Sequence, residues 1–139
     1  MTTEQRLEKL ERELGETRDE LDELRAGLAE GITTRKIKIV DETDKMRAML
    51  STGKDGTGLT LSDEKGKTRA MLSSGKDGPL LTLCDEKEEG RATLFVSKDG
   101  PVLVLCDEKG QGRAGLGVVK AGPELRLHDE KGDVIWRAP

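Results

Sequence analysis

A period of 22 residues runs through most of this chain without an insertion. Asp41, Asp63, Asp85, Asp107 and Asp129 mark it, as do Arg47, Arg69, Arg91 and Arg113. The same spacing relates Ala48, Ala70, Ala92 and Ala114, then Leu50, Leu72, Leu94 and Leu116, and finally Gly56, Gly78, Gly100 and Gly122. The consensus is Leu-x-Leu-x-Asp-Glu-Lys-Gly-x-x-Arg-Ala-x-Leu, followed by a break resembling Lys-Asp-Gly-Pro. Fixed-period self-similarity marks an architecture in which each unit buries its apolar surface only against neighbours. The spacing predicts a β-repeat over residues 37–139, with units 37–58, 59–80, 81–102, 103–124 and a truncated 125–139.

Each unit holds two period-2 runs. Leu59 and Leu61 alternate with Thr60 and Ser62, and Ala70 and Leu72 alternate with Arg69 and Met71; this alternation is the pattern of a strand with one buried face. Asp63-Glu64-Lys65-Gly66 reads as a turn, and Lys76-Asp77-Gly78-Pro79 as a second, since Asp-Gly favours a hairpin and Pro79 suits a strand's first residue. Two-residue loops at Glu64-Lys65 and Asp77-Gly78 predict the pairs Leu61–Thr68, Leu59–Ala70, Leu72–Leu83 and Ser74–Leu81. Glu88 stands where Gly66, Gly110 and Gly132 stand in other units, which argues against a glycine being mandatory there.

About ten strands then form an antiparallel meander, ~48 Å long at ~4.8 Å per strand. Its expected core is Leu59, Leu61, Ala70, Leu72, Leu81, Leu83, Ala92, Leu94, Leu103, Leu105, Ala114 and Leu116. No second helical segment is available to cover this face, and an uncovered apolar sheet of that length aggregates. It must therefore meet copies of itself. Three sheets around an axis, each one wall of a β-prism, bury it, and small Ala beside Leu suits a narrow interior. A single chain rolled into a two-walled β-solenoid is the rival geometry.

Residues 1–31 carry a different period. Leu7, Leu14, Leu21 and Leu28 at a, with Leu10, Thr17 and Leu24 at d, form a heptad seam. Thr2 or Thr3 can cap the start, and Gly27 with Gly31 weakens the end. In a parallel coiled coil each g residue meets the next e residue of a neighbouring chain. Those pairs are Arg6–Glu11, Glu13–Arg18 and Glu20–Arg25, all opposite in sign, so the charges select a parallel, in-register homo-oligomer. Exposed pairs contribute only about 0.2–1 kcal/mol each; they set register more than strength. Residues 32–36 read as a linker. The predicted architecture is thus an α-helical parallel coiled coil plus an all-β repeat.

Arg6-Leu7-Glu8-Lys9-Leu10-Glu11 resembles the Arg-h-x-x-h-Glu trimerisation motif of short parallel coiled coils. The coil-plus-repeat architecture resembles the trimeric stalks of phage tail fibres and trimeric bacterial adhesins. The repeat, with its Trp136-Arg137-Ala138-Pro139 tail, resembles one found in bacterial repeat proteins to which no activity is assigned. These resemblances imply a trimeric shape and no particular chemistry.

Composition narrows the function. The chain holds one Phe, one Trp and no Tyr in 139 residues, and 37% of residues are charged; a thin aliphatic core fits this better than a globule, whose core leans on aromatics. Net charge is −5 over residues 1–31 and +1 over the remainder. With no basic stripe and too few aromatics to stack bases, nucleic-acid partners are not expected. No apolar run reaches membrane-spanning length and no signal-peptide core opens the chain, so the expected address is cytoplasmic, with a phage particle as the other origin considered.

The acidic turns do not read as calcium sites. Each Asp-Glu is followed by Lys65, Lys87, Lys109 or Lys131, and an Asx-type turn accounts for the aspartate. Cys84 and Cys106 share a repeat column with Val40, Ser62 and His128, but alternate strands lie ~9.6 Å apart, too far for one zinc or a disulfide. Neither metal nor cofactor is expected. His128 is the only histidine, no catalytic constellation assembles around it, and the chain reads as a non-enzyme. Arg47, Arg69, Arg91 and Arg113 read as an ion-pair ladder with the turn carboxylates, or alternatively as a basic row gripping an acidic polymer, carbohydrate or protein. Trp136 replaces the repeat's Ala and reads as a plug closing the end of the core, or as a docking anchor. The function expected is that of a homotrimeric fibre serving as spacer or multivalent display surface, with self as its partner.

Overall fold

The computed structural model describes residues 2–138, and they group into two compact units, divided after Thr34. The first is one helix, α1 (Thr3–Ala29). A capping box starts it: the Thr2 hydroxyl accepts from Gln5 N at 3.3 Å, and the Gln5 side-chain oxygen accepts from Thr2 N at 2.9 Å. Past its end, Gly31 adopts φ +100° and its N–H donates to Leu28 O, the left-handed stop that glycine supplies at least cost. Gly27 lies within the helix. No residue of α1 is buried, and it is not apolar enough to cross a membrane.

The second unit is one antiparallel sheet of ten strands in sequence order. They are β1 (Lys36–Val40), β2 (Met46–Gly53), β3 (Gly56–Ser62), β4 (Thr68–Gly75) and β5 (Gly78–Cys84), then β6 (Gly90–Ser97), β7 (Gly100–Cys106), β8 (Gly112–Val119), β9 (Gly122–His128) and β10 (Val134–Ala138). β1 and β10 are the two edges, and the sheet does not close on itself. Pro139, the last residue of the tail and of the fifth unit, lies outside the described residues.

The observed register differs from the predicted one by two residues at both turns. Leu61 pairs with Ala70 and Leu59 with Leu72, not with Thr68 and Ala70. Leu72 pairs with Leu81 and Ser74 with Pro79, not with Leu83 and Leu81. At the first turn the loop is three residues, Glu64-Lys65-Gly66, closed by Asp63 N donating to Lys67 O at 2.9 Å and Gly66 N donating to Asp63 O at 3.0 Å. A β-bulge between Leu61 and Ser62 follows, with Arg69 the extra residue. At the second turn the loop is Lys76-Asp77, because Asp77 does not adopt the positive φ that a central Asp-Gly pair requires; Gly78 takes it instead, at +106°. A shift of two preserves which face a side chain occupies, so the Leu/Ala face survives the correction.

Two glycine columns have different reasons. Gly56, Gly78 and Gly100 sit at φ +106° to +131°, where a Cβ would overlap the carbonyl oxygen of Ser74, Val96 or Val118. The turn column Asp44, Gly66, Glu88, Gly110, Gly132 keeps φ between +60° and +87° throughout, but a Cβ there meets open space. The left-handed conformation is therefore constant and glycine is not, as Glu88 suggested. Replacing Gly66 with Ala should cost about 1–2 kcal/mol, the left-handed penalty alone. Gly100→Ala adds a steric clash and should cost at least ~1 kcal/mol more; urea denaturation of the two variants measures the difference.

Candidate functional site

One carboxylate organises each Asp-Glu-Lys-Gly turn. In the third unit Asp85 Oδ1 accepts from Lys87 N at 2.8 Å and Glu89 N at 3.1 Å, the Asx-type cap expected from sequence. Its Oδ2 takes a second load: Arg91 Nε donates to it at 2.6 Å, with Arg91 Nη2 also on the same oxygen. Asp63 binds Arg69, and Asp107 binds Arg113, in the same way, with Nε–Oδ2 distances of 2.8 and 2.6 Å. Asp41 holds Arg47 more loosely, at 3.9 Å. The fifth unit has Ile135 in the arginine column, and Asp129 there keeps its cap from Lys131 N and Asp133 N.

The bulge makes this clamp possible. It turns the extra residue out of the ladder, and that residue is Arg47, Arg69, Arg91 or Arg113 in the first four units and Ile135 in the fifth. Two of the arginines also reach the following turn. Arg91 Nη1 donates to Asp107 O and its Nη2 to Glu108 O at 3.1 Å, and Arg113 Nη1 donates to Asp129 O. Every nitrogen of the Arg91 guanidinium is thereby engaged within the sheet. The arginines form an ion-pair ladder, and the third and fourth units are stitched to the next by it.

The third unit adds a second link between turns. Glu88 Oε1 accepts from Thr68 N at 2.9 Å, and Oε2 accepts from Lys67 Nζ at 3.2 Å. The left-handed glutamate is thereby held to the rim of the preceding turn by two hydrogen bonds.

The two sheet faces differ sharply. Leu59, Leu61, Ala70 and Leu72 lie on one, together with Leu81, Leu83, Ala92 and Leu94, then Leu103, Leu105, Ala114 and Leu116. The register places Trp136 on that face too, directly opposite Leu127. Ala48, at 9% exposure, is the one buried hydrophobic side chain among the described residues; nine leucines of this face, from Leu50 to Leu127, remain 37–51% exposed, and Trp136 47%. The helix seam is similarly bare, with Leu7, Leu10, Leu14, Leu21, Leu24 and Leu28 exposed by 46–71%. Of the charges that flank it, Glu13 pairs with Lys9 at 3.4 Å and Arg25 with Asp22 at 3.5 Å, while Arg12 and Glu16, off the seam, pair at 3.8 Å. Thr17 donates its hydroxyl to Glu13 O at 2.8 Å, so its polar atom is satisfied within the helix.

The opposite sheet face varies from unit to unit. Sequence reading passed over an apolar island there, in which Leu80 faces Phe95 and Phe95 faces Val102. Beside it Gly115 and Gly117 leave a hollow of about 170 Å³, bordered by Val102, Val104, Glu124 and Arg126. The signal was present as the loss of a side chain in columns that hold Thr93 and Phe95 one unit earlier. Cys84 and Cys106 are half-buried free thiols. His128 Nδ1 bonds the Gly132 carbonyl at 3.1 Å, and no three His, Cys, Asp or Glu side chains converge among the described residues.

No family model matches the chain, and no curated protein matches it. Among solved structures it is similar to an S. aureus TarM mutant in complex with fondaparinux, alpha-GlcNAc-glycerol and UDP, at TM-score 0.46 and 13% identity over 73% of this chain and 23% of that one. A second TarM structure gives TM-score 0.43 and 13% identity, covering 68% and 21%. The chain spans less than a quarter of those proteins, and at these TM-scores the likeness carries no inference.

The clamps have a pH signature. Partial desolvation pushes the Asp63, Asp85 and Asp107 carboxyls up, but the turn N–H groups and the arginines outweigh it and hold them below the usual 3.8. Asp41 is lowered first by the Thr43 hydroxyl, and Glu88 first by Thr68 N–H. Depressed carboxyls contribute stability that is fully present above the ordinary carboxylate range and lost as pH falls through their lower folded values. Thermal stability should therefore hold down to about pH 4 and fall below it. Asp85→Asn should flatten that fall relative to the parent chain while lowering stability at pH 7; melting temperatures across pH 2–7 check both.

Proposed function

We propose that this chain is a non-enzymatic structural protein, a parallel homotrimer in which α1 forms a coiled coil and three sheets form the walls of a β-prism. One observation carries the reading: a face that presents Leu in every unit, with Ala beside it in the first four, is left half exposed by the single chain. Completing the burial of nine half-exposed leucines is worth on the order of 1 kcal/mol each. The total approaches the whole stability of an ordinary domain, about 5–15 kcal/mol, so the face has a strong drive to be covered.

Copies of the same face are the fitting cover. The units share their apolar columns and differ on the other side, and a common axis along the stack asks the same of every unit. The heptad seam and its g–e charges favour parallel chains in register. Three chains are favoured by the Arg6-to-Glu11 motif and by the small Ala column beside Leu. Trp136, occupying that column in the last unit, closes the interior. Arginines committed to carboxylates and carbonyls serve stiffness better than recognition, which favours a spacer or display stalk over a polymer-gripping module. Stalks of phage fibres and bacterial adhesins are the architectural parallel, and a cytoplasmic or phage-particle setting fits the reading.

Light scattering of residues 1–139 should give three times the 15.2 kDa chain mass; a 15.2 kDa particle would sink the proposal. Leu72→Asp on the leucine face should dissociate the assembly. Met71→Asp, one residue away on the other face, should leave the mass unchanged.

A further inference from the structure

The two edges of the sheet invite a joint. β10 belongs to the even strands and β1 to the odd, so β1 of a second copy is the strand that would come next. Carrying the observed register of Ala48–Leu61, Met49–Thr60 and Leu50–Leu59 one strand further gives the pairing. Trp136 would face Ile39 of a second copy, Arg137 would face its Lys38, and Ala138 its Ile37. On the leucine face this joint is attractive: Trp136 is 47% exposed, Ile39 56% and Ile37 38%.

The other face opposes it. Along the column that contains Arg137, the preceding members are Met49, Met71, Thr93 and Gly115; along the column that begins with Lys38 they continue as Thr60, Thr82, Val104 and Arg126. The interior joints of this kind are Met49–Thr60, Met71–Thr82, Thr93–Val104 and Gly115–Arg126. None brings two charges together. Lys38 and Arg137 are exposed on the edge strands themselves. Arg137 already faces Arg126 across β9 and β10, and Arg126 takes the nearby carboxylate of Glu124 at 2.5 Å. A joint would extend this to three cations in a row with one carboxylate.

We propose that Lys38 and Arg137 guard the sheet edges against end-to-end joining of copies, so that the array keeps its length while its leucine face remains free to assemble sideways. Charged residues on exposed edges are a general means of blocking strand addition, and like charges directly opposite one another destabilise a strand pair. What is specific here is that the two charges meet only in the register that would continue the repeat. The inference rests on the sheet and its register and not on the number of chains around the axis.

The test is charge reversal in the full chain at low ionic strength, with size read by light scattering and particle length by electron microscopy. Lys38→Glu and Arg137→Glu each convert the joint into an opposite-charge pair and should each yield end-to-end multiples. Their association should exceed that of the parent by on the order of tenfold and weaken as salt screens the pair. The double variant Lys38→Glu/Arg137→Glu restores like charges and should return to the parent's length. Single variants that stay at the parent's length, or a double variant that grows as readily as the singles, would overturn the proposal. The mass of the shortest particle reports separately on the trimer, so failure of one reading is distinguishable from failure of the other.

Discussion

The two oxygens of a turn aspartate do different work, and the sheet depends on that division. Oδ1 gathers two N–H groups of the three-residue loop, which fixes where the chain reverses. Oδ2 holds the arginine that the bulge turns out of the ladder, and the bulge itself recurs at Ile135, where no arginine is present. Loop length and bulge together determine the register of each hairpin, and register determines which side chains share a face. A charge-assisted contact in which two guanidinium N–H groups share one carboxylate oxygen is among the stronger polar interactions available to a half-exposed site. Repeated in three successive units, it ties each bulge to its turn in a sheet without an aromatic core.

This order of dependence explains what could be read in advance and what could not. Parity is encoded redundantly: every Leu and Ala column obeys it, and any even shift leaves it intact, so the apolar face, the strand number and the meander were legible. Absolute register was not, because it turns on a three-residue loop and on a bulge at the column of Arg69, which recurs at Ile135 without an arginine. The 22-residue identity of Asp and Arg columns announced a pairing, and the ladder reading followed from it; nothing in the alternation said that the arginine would leave the pleat to make it. The Asp-Gly dipeptide misled for a related reason. The mirror-image turn it favours needs positive φ at both residues, whereas a loop one residue earlier needs it at Gly78 alone.

The helix shows the same separation between pattern and outcome. Its cap was legible to within a residue because Thr2 and Gln5 form a reciprocal pair of local hydrogen bonds. Two of the charged flanks expected to meet neighbouring chains, Glu13 and Arg25, also have partners on their own helix. Those i,i+3 and i,i+4 pairs are worth a few tenths of a kcal/mol, similar to the exposed pairs expected across a seam. Neither set is therefore strong enough to decide assembly by itself.

The repeats also provide an internal comparison that bears on assembly. Where a column must satisfy the same demand in every unit, it holds: Ala48 through Ala114, Leu50 through Leu116, Asp41 through Asp129. Where the demand is local, it drifts, as in Met49, Met71, Thr93, Gly115, Arg137. The held columns are the leucine face and the clamp, and the drifting ones are the opposite face and the edges. A demand common to all units along the stack is what a shared axis imposes, since each unit meets its counterparts at the same distance from it. A partner bound at one place would press on only one or two units and leave the others free to vary. Constancy on the leucine face and drift on the other are thus the pattern expected when the first is the interior of an assembly and the second is left for uses that differ along its length.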